Sequence, residues 1–192
     1  EATGRVVRVG STSLDVEVEL SPEALVSGAR RRCTRGRFTL VAIKGPNTRL
    51  PLPALKSLPA ARDNGSLHMA DMVFPPQTNH YGTLYGGDAL KMMGKAAFIA
   101  ATRHSRSVIV MAASDRIDFK SPIREGEMTE LISQIRMTGR SSVLVGVELW
   151  AEHLLTGERR HAATASFTMV SVDHDGRPTP IRRSTSQRSV AA

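Results

Sequence analysis

Cysteine is nearly absent from this chain. Cys33 is the only one in 192 residues, which excludes an internal disulfide and any zinc site built on cysteine pairs. Aromatic residues make up 4% of the chain, and the formal charge is +8. The basic clusters at Arg30–Arg32, Arg35 and Arg37, and at Arg182, Arg183 and Arg188, have no interleaved aromatics to stack on bases. That argues against a nucleic-acid partner and leaves a small polyanion as the better match to the positive field. No apolar run reaches the roughly 20 residues of a membrane helix. The opening EATGRVVRVGSTS has no apolar signal core, so the default expectation is a cytoplasmic location with no membrane partner. No G-x-S-x-G elbow is present, and no His, Asp and Glu stand at metal-ligand spacing, so no metal is expected.

What the chain does have is an internal repeat. The segment from Gly10, GSTSLDVEVELSPEALVSGARRRCTRGRFTLVAI, aligns without a gap on the segment from Gly139, GRSSVLVGVELWAEHLLTGERRHAATASFTMVSV. The offset of 129 carries Val16 to Val145, Glu19 to Glu148, Gly28 to Gly157, Arg30 to Arg159 and Phe38 to Phe167. The second copy extends back to about His68, whereas the first is cut by the start of the chain. Four stretches are therefore expected. Residues 1–44 are the C-terminal strands of a truncated first unit, and 45–66 are a linker rich in Pro and polar residues. Residues 67–180 form a complete unit, and the Arg/Ser-rich 181–192 are a disordered tail. A chain that starts with Glu is expected to be a trimmed or incomplete product.

Within the complete unit, His68–Phe74 reads as a short strand stopped by Pro75–Pro76. Gly86–Gly87 then open a helix over about Asp88–Arg103, apolar nearly all round and so expected to be buried. Four β-rich segments follow, Val108–Phe119, Met128–Thr138, Ser142–Glu152 and Arg159–Val172, with hairpin signals between the later ones. The economical architecture is α+β, one long helix wrapped by an antiparallel sheet.

The stretch ahead of the helix, TNHYGTLYGGDALKMMG from Thr78, looks like a prepared site. Glycines allow close backbone approach, and the first N–H groups of a helix have no internal acceptor. Asn79 offers both a donor and an acceptor. The order of elements and this motif resemble the hotdog superfamily, in particular its acyl-CoA thioesterases. The likeness rests on Pro75, Thr78–Asn79, Gly82, Gly86–Gly87, DFKSPIREGE from Asp118, TGRSS from Thr138 and LLTGERR from Leu154. It implies hydrolysis of a fatty acyl-CoA to free acid and CoA, with CoA as part of the substrate and no separate cofactor. Asn79, Gly86, Gly87 and Asp88 would be the catalytic group. Thr78, His80, Gly82, Arg140, Ser141 and Ser142 would bind substrate or CoA. It also implies hotdog pairing, hence a homo-oligomer, and a pocket shared between units.

Two positions depart from the family pattern. Gln77 stands where related enzymes carry an acid two residues before the asparagine, and Gly94 stands where many carry a carboxylate on the helix. Neither takes a proton from water. The expectation is that the general base comes from the missing part of the first unit. The alternative is a non-catalytic half that binds acyl-CoA or assists assembly. A hotdog hydratase ranks lower, because His80 has no acidic partner nearby in sequence.

Overall fold

The computed structural model of the chain describes residues 1–53, 65–115 and 117–181. Half of the expected linker and nearly all of the Arg/Ser-rich tail lie outside the described residues. The chain divides into two compact units, Glu1–Arg62 and Asp63–Ala192.

The first unit is a three-stranded antiparallel sheet in the order β1 (Ala2–Val9), β2 (Ser13–Leu20), β3 (Thr34–Val41). One face carries charge in cross-strand pairs. Arg8 Nε donates to Asp15 Oδ2 at 2.7 Å, Thr39 Oγ1 donates to Asp15 Oδ1 at 2.9 Å, and Arg35 pairs with Glu17. The other face is apolar and bare, with Phe38 57% and Leu40 55% exposed.

The second unit runs β4 (Leu67–Met72), a 3-10 turn at Pro75–Gln77, α1 (Gly86–Ser105), β5 (Ile109–Ser114), β6 (Asp118–Phe119), β7 (Met128–Thr138), β8 (Ser142–His153) and β9 (Glu158–Ser171). Its antiparallel sheet has the order β4-β7-β8-β9-β5, with β6 also paired to β9. Val143, Val145, Val147 and Leu149 of β8 point inward with Phe167 and Met169 of β9. They meet Ala89, Met93, Ala96, Ala97 and Ala100 of α1. The small alanines let the helix axis lie close to the sheet, and Met93 fills what they leave. This is the hotdog arrangement that the sequence predicts.

The repeat is reproduced in the hydrogen bonding. The β2–β3 register, Val16↔Phe38 and Leu20↔Thr34, becomes Val145↔Phe167 and Leu149↔Ala163 of β8–β9 on the offset of 129. The irregularity between Val6 and Arg8 recurs between Ile135 and Met137. Bonds of the segment after β3, Lys44 N to Thr48 O and Leu52 N to Ser11 O, recur as Asp173 N to Arg177 O and Ile181 N to Arg140 O. Hydrogen-bonded structure therefore continues to Leu52, past residue 44 where the Pro-rich composition suggested a linker. Here Pro and Gly mark a turn that folds back on the sheet.

Two further expectations are corrected. The helix is not buried all round: Leu90 and Phe98 are each 38% exposed, because this unit's sheet covers one side only. The single strand expected over Val108–Phe119 is two, β5 and β6, with a shift in the pairing to β9 between Met111 and Ala113.

Candidate active site

The loop between the 3-10 turn and α1 is organised around Asn79. Its Oδ1 accepts from the Tyr81 N–H at 2.9 Å, the Thr83 N–H at 3.3 Å and Thr83 Oγ1 at 3.1 Å. Backbone N–H groups only donate, so the atom facing them is the amide oxygen. The Asn79 NH2 has no partner among the described residues. Gly82, at φ +68°, completes the turn in a conformation that side chains disfavour, and its N–H donates to Asn79 O at 2.9 Å. Thr78 is consumed by the 3-10 turn, since its N–H and Oγ1 both donate to Pro75 O. His80 is exposed, its ring against Tyr81 with centroids 3.9 Å apart. Gln77, where an acid was looked for, closes the turn at both ends: Oε1 accepts from the Phe74 N–H and its carbonyl accepts from the Tyr85 N–H, each at 2.9 Å.

No side chain caps α1 at Tyr85. The Asp88 and Ala89 N–H groups both donate to Tyr85 O, at 3.0 and 3.1 Å. That leaves the N–H groups of Gly86 and Gly87 without an acceptor among the described residues, at the positive end of a 20-residue helix. Gly87 also meets the Tyr85 ring, for a Cβ there would lie 2.6 Å from Cε1. Asp88 sits in the first turn, as the dipole favours, with its N–H already engaged.

A second group of residues holds this loop in place. Leu84 N–H donates to Ile123 O at 2.7 Å, Glu125 N–H to Gly82 O at 3.1 Å and Gly126 N–H to Val73 O at 2.9 Å. The 122–127 segment is itself fixed by Glu127, 6% exposed, which takes Arg160 Nη2 at 2.6 Å, Arg160 Nη1 at 2.8 Å and the Arg124 N–H at 2.7 Å. Hydrogen bonding from Arg160, ahead of the backbone bond from Arg124, holds the Glu127 carboxyl below its ordinary range against the opposing effect of burial. Neither residue was singled out from the sequence. Each ends a segment that carries the resemblance, DFKSPIREGE and LLTGERR, but nothing in the sequence pairs the two.

Arg140, Ser141 and Ser142 are not brought to the Gly86–Gly87 turn of this unit. His104, in the last turn of α1, contacts Thr138 Oγ1 at 2.9 Å, which puts the β7–β8 turn at the helix C-terminus. A helix of 20 residues separates its two ends by roughly 30 Å. Gly94 is buried midway along α1. A Cβ there would lie 2.8 Å from the Met111 methyl and 3.9 Å from Phe167, so the seat expected for a carboxylate is filled by a thioether from β5. Among the described residues, the one group at metal-ligand distance is Asp173, His174 and Asp175. It lies in an exposed turn where His174 and Arg177 pair with Asp175.

The model of the thioesterase superfamily matches residues 81–158. An uncharacterized acyl-CoA thioester hydrolase of Bacillus subtilis is 41% identical over 58% of this chain and 64% of its own length, so the chain spans less than two thirds of that relative. An acyl-CoA hydrolase from Agrobacterium tumefaciens superposes with a TM-score of 0.85 at 42% identity, over 94% of this chain and 72% of that one. An acyl-CoA hydrolase from Staphylococcus aureus, solved with butyryl coenzyme A, coenzyme A and coenzyme A disulfide, gives 0.59 at 28% identity, over 62% of this chain and 73% of that one. It has also been solved as alanine variants of an asparagine, an aspartate and a threonine, whose separations equal those between Asn79, Gly94 and Met111. The structure brings Gly94 and Met111 of this chain into contact.

Proposed function

The chain belongs to the thioesterase superfamily, and from that premise we propose that it takes part in hydrolysis of fatty acyl-CoA to free acid and CoA. The observation that carries this reading is the pair of unengaged N–H groups, Gly86 and Gly87, at the uncapped start of α1 beside the Asn79 turn. Negative charge develops on the thioester oxygen as water attacks, and donors already fixed in place stabilise it without reorganising. Asn79 spends its oxygen on its own loop, so its part is that of a donor: the free NH2 holds either the attacking water by a lone pair or the thioester oxygen. It does not accept the water's proton.

That proton needs a base, and Gly94, at the spacing from Asn79 that the varied aspartate of the Staphylococcus protein has from its asparagine, is packed on Met111. We therefore assign the base to another hotdog unit, in a pocket shared between units. The exposed Leu90 and Phe98 on the outer face of α1 support such pairing. By the identical register, the bare sheet of the first unit is the matching part of a hotdog, and a homo-oligomer follows from the same pairing. Cys33 as an exposed free thiol is in keeping with a reducing, cytoplasmic setting. The Gly94–Met111 contact also supports the second reading, a half that binds acyl-CoA and lends donors without a base of its own.

The test is CoA-thiol release from acyl-CoAs of graded chain length, by this chain and by the chain extended upstream. Turnover that falls about 100-fold or more in Asn79→Ala supports the hydrolase reading. Binding of CoA with no turnover in either form favours the second reading, and neither binding nor turnover removes both.

A further inference from the structure

Beside the Gly86–Gly87 turn, β6 and the segment after it form a cleft of about 320 Å³ with the first turns of α1. Its walls are Leu84, Gly86, Ala89, Phe119 and Ile123, with Lys120 among the lining residues and no carboxylate. A Cβ on Gly86 would lie 3.8 Å from the Phe119 ring, so the cleft adjoins the first residue of α1. The Lys120 N–H is spent on Ala162 O at 2.8 Å, which fixes the backbone. Its ammonium makes no ion pair among the described residues. By contrast, Arg159 is paired with Glu130 and Arg160 with Glu127.

We propose that Lys120 is a substrate-binding residue of this unit, a cation that holds the phosphates of the CoA moiety whose thioester lies at Gly86–Gly87. The inference rests on the acyl-CoA reading above and gives a role to Lys120, which lies in the DFKSPIREGE segment but had none assigned. Its logic is positional. Acyl-CoA is neutral and slender along its pantetheine arm and strongly anionic at the far end. The apolar cleft suits the arm, and a lone ammonium at its edge suits the anionic end. The residues expected to bind CoA, Arg140, Ser141 and Ser142, lie at the opposite end of α1 and do not reach this turn within one unit. Lys120 lines the same cleft as Gly86 and is exposed to solvent. Phosphate, rather than a carboxylate on the acyl group, is the chosen partner, since every acyl-CoA carries it.

The experiment compares the protein with its Lys120→Ala and Lys120→Glu variants on an acyl-CoA and on the matching acyl-pantetheine, which has the same thioester and arm but no phosphate. Lys91→Ala, on the exposed face of α1, serves as the control for a change of charge alone. The expected result on acyl-CoA is a KM raised about tenfold by Lys120→Ala and further by Lys120→Glu, with kcat within twofold. On acyl-pantetheine no change is expected. Equal losses on both substrates, a loss matched by Lys91→Ala, or no loss on either overturns the assignment. Should the protein hydrolyse neither thioester, the hydrolase reading fails on its own. Calorimetric affinities for CoA and for pantetheine then decide Lys120: weakening of CoA alone sustains it, and unchanged CoA affinity removes it.

Discussion

At the scale of single residues, Asn79 separates a structural role from a chemical one. Its oxygen organises the loop and its NH2 has no partner among the described residues, so Asn79→Asp keeps the acceptor and deletes the donor. Turnover should fall about 100-fold while the melting temperature stays within a degree or two. Asn79→Ala loses the loop bonds as well, at a cost of about 1–2 kcal/mol. Equal melting losses in both variants would refute this division of labour. Gly94 shows the reverse case, a residue whose surroundings are packing contacts and not chemistry. The Met111 methyl that crowds it is the free end of a half-exposed side chain, able to swing away, whereas Ala in a helix interior gains about 1 kcal/mol over Gly. Gly94→Ala should therefore raise the melting temperature slightly, and a marked drop would show that Met111 is not free to yield. Asn79 was legible because a short spacing carries its setting. Met111 was not, because its contact with Gly94 exists only once β5 is laid beside α1.

At the scale of elements, the long helix and strands β7, β8 and β9 were readable from apolar patterning, and their boundaries agree within two residues. Less legible was which side of the helix the sheet leaves open, since Leu90 and Phe98 are as apolar as the buried Ala89, Met93, Ala96 and Ala97. The tie between elements was also hidden. Glu127 and Arg160 lie on separate segments, and sequence alone gives no reason to pair them. Their function is positional: they fix the 122–127 segment to which the Asn79 loop is bonded. Glu127→Gln leaves Arg160 with a weaker partner in a largely buried place, and should cost about 2–3 kcal/mol by chemical denaturation. If the loop relaxes with it, kcat should fall severalfold while a wild-type-like pH profile is kept. A changed pH profile would mean that Glu127 takes part in proton transfer instead.

At the scale of the whole molecule, the repeat yields two sheets of one register with different cover. In the second unit α1 lies on the inner face, while in the first the matching positions, Phe38 and Leu40, are open. An apolar face of this kind promotes association. Phe38→Ser with Leu40→Ser should lower the sedimentation-measured association of the chain and leave the unfolding of the second unit unchanged. If association persists undiminished, another surface is responsible, and the outer face of α1 is the next to vary.

Both units also share an acid-sensitive design, whose sign follows from the direction of each shift. Asp15 is held low by hydrogen bonds from Arg8 and then Thr39, Glu17 by Arg35, and Glu127 by Arg160. Each carboxyl binds protons more readily unfolded than folded, so its contribution is complete above the unfolded value, about 4–4.5, and is lost as pH falls through the folded one. His104 acts higher on the scale. Burial lowers its pKa, so the unfolded chain takes up the proton first and stability begins to decline below about pH 6.5. Stability against pH should thus show a shallow decline from near 6.5 and a steep one below about 4. His104→Gln should flatten the first leg alone, and Glu127→Gln should reduce the second. The surface pairs of the first unit are open to screening and should weaken in high salt, whereas the enclosed Glu127–Arg160 pair should weaken less. A steep leg that salt abolishes entirely would place the acid sensitivity in the first unit's charged face and not in the loop that holds Asn79.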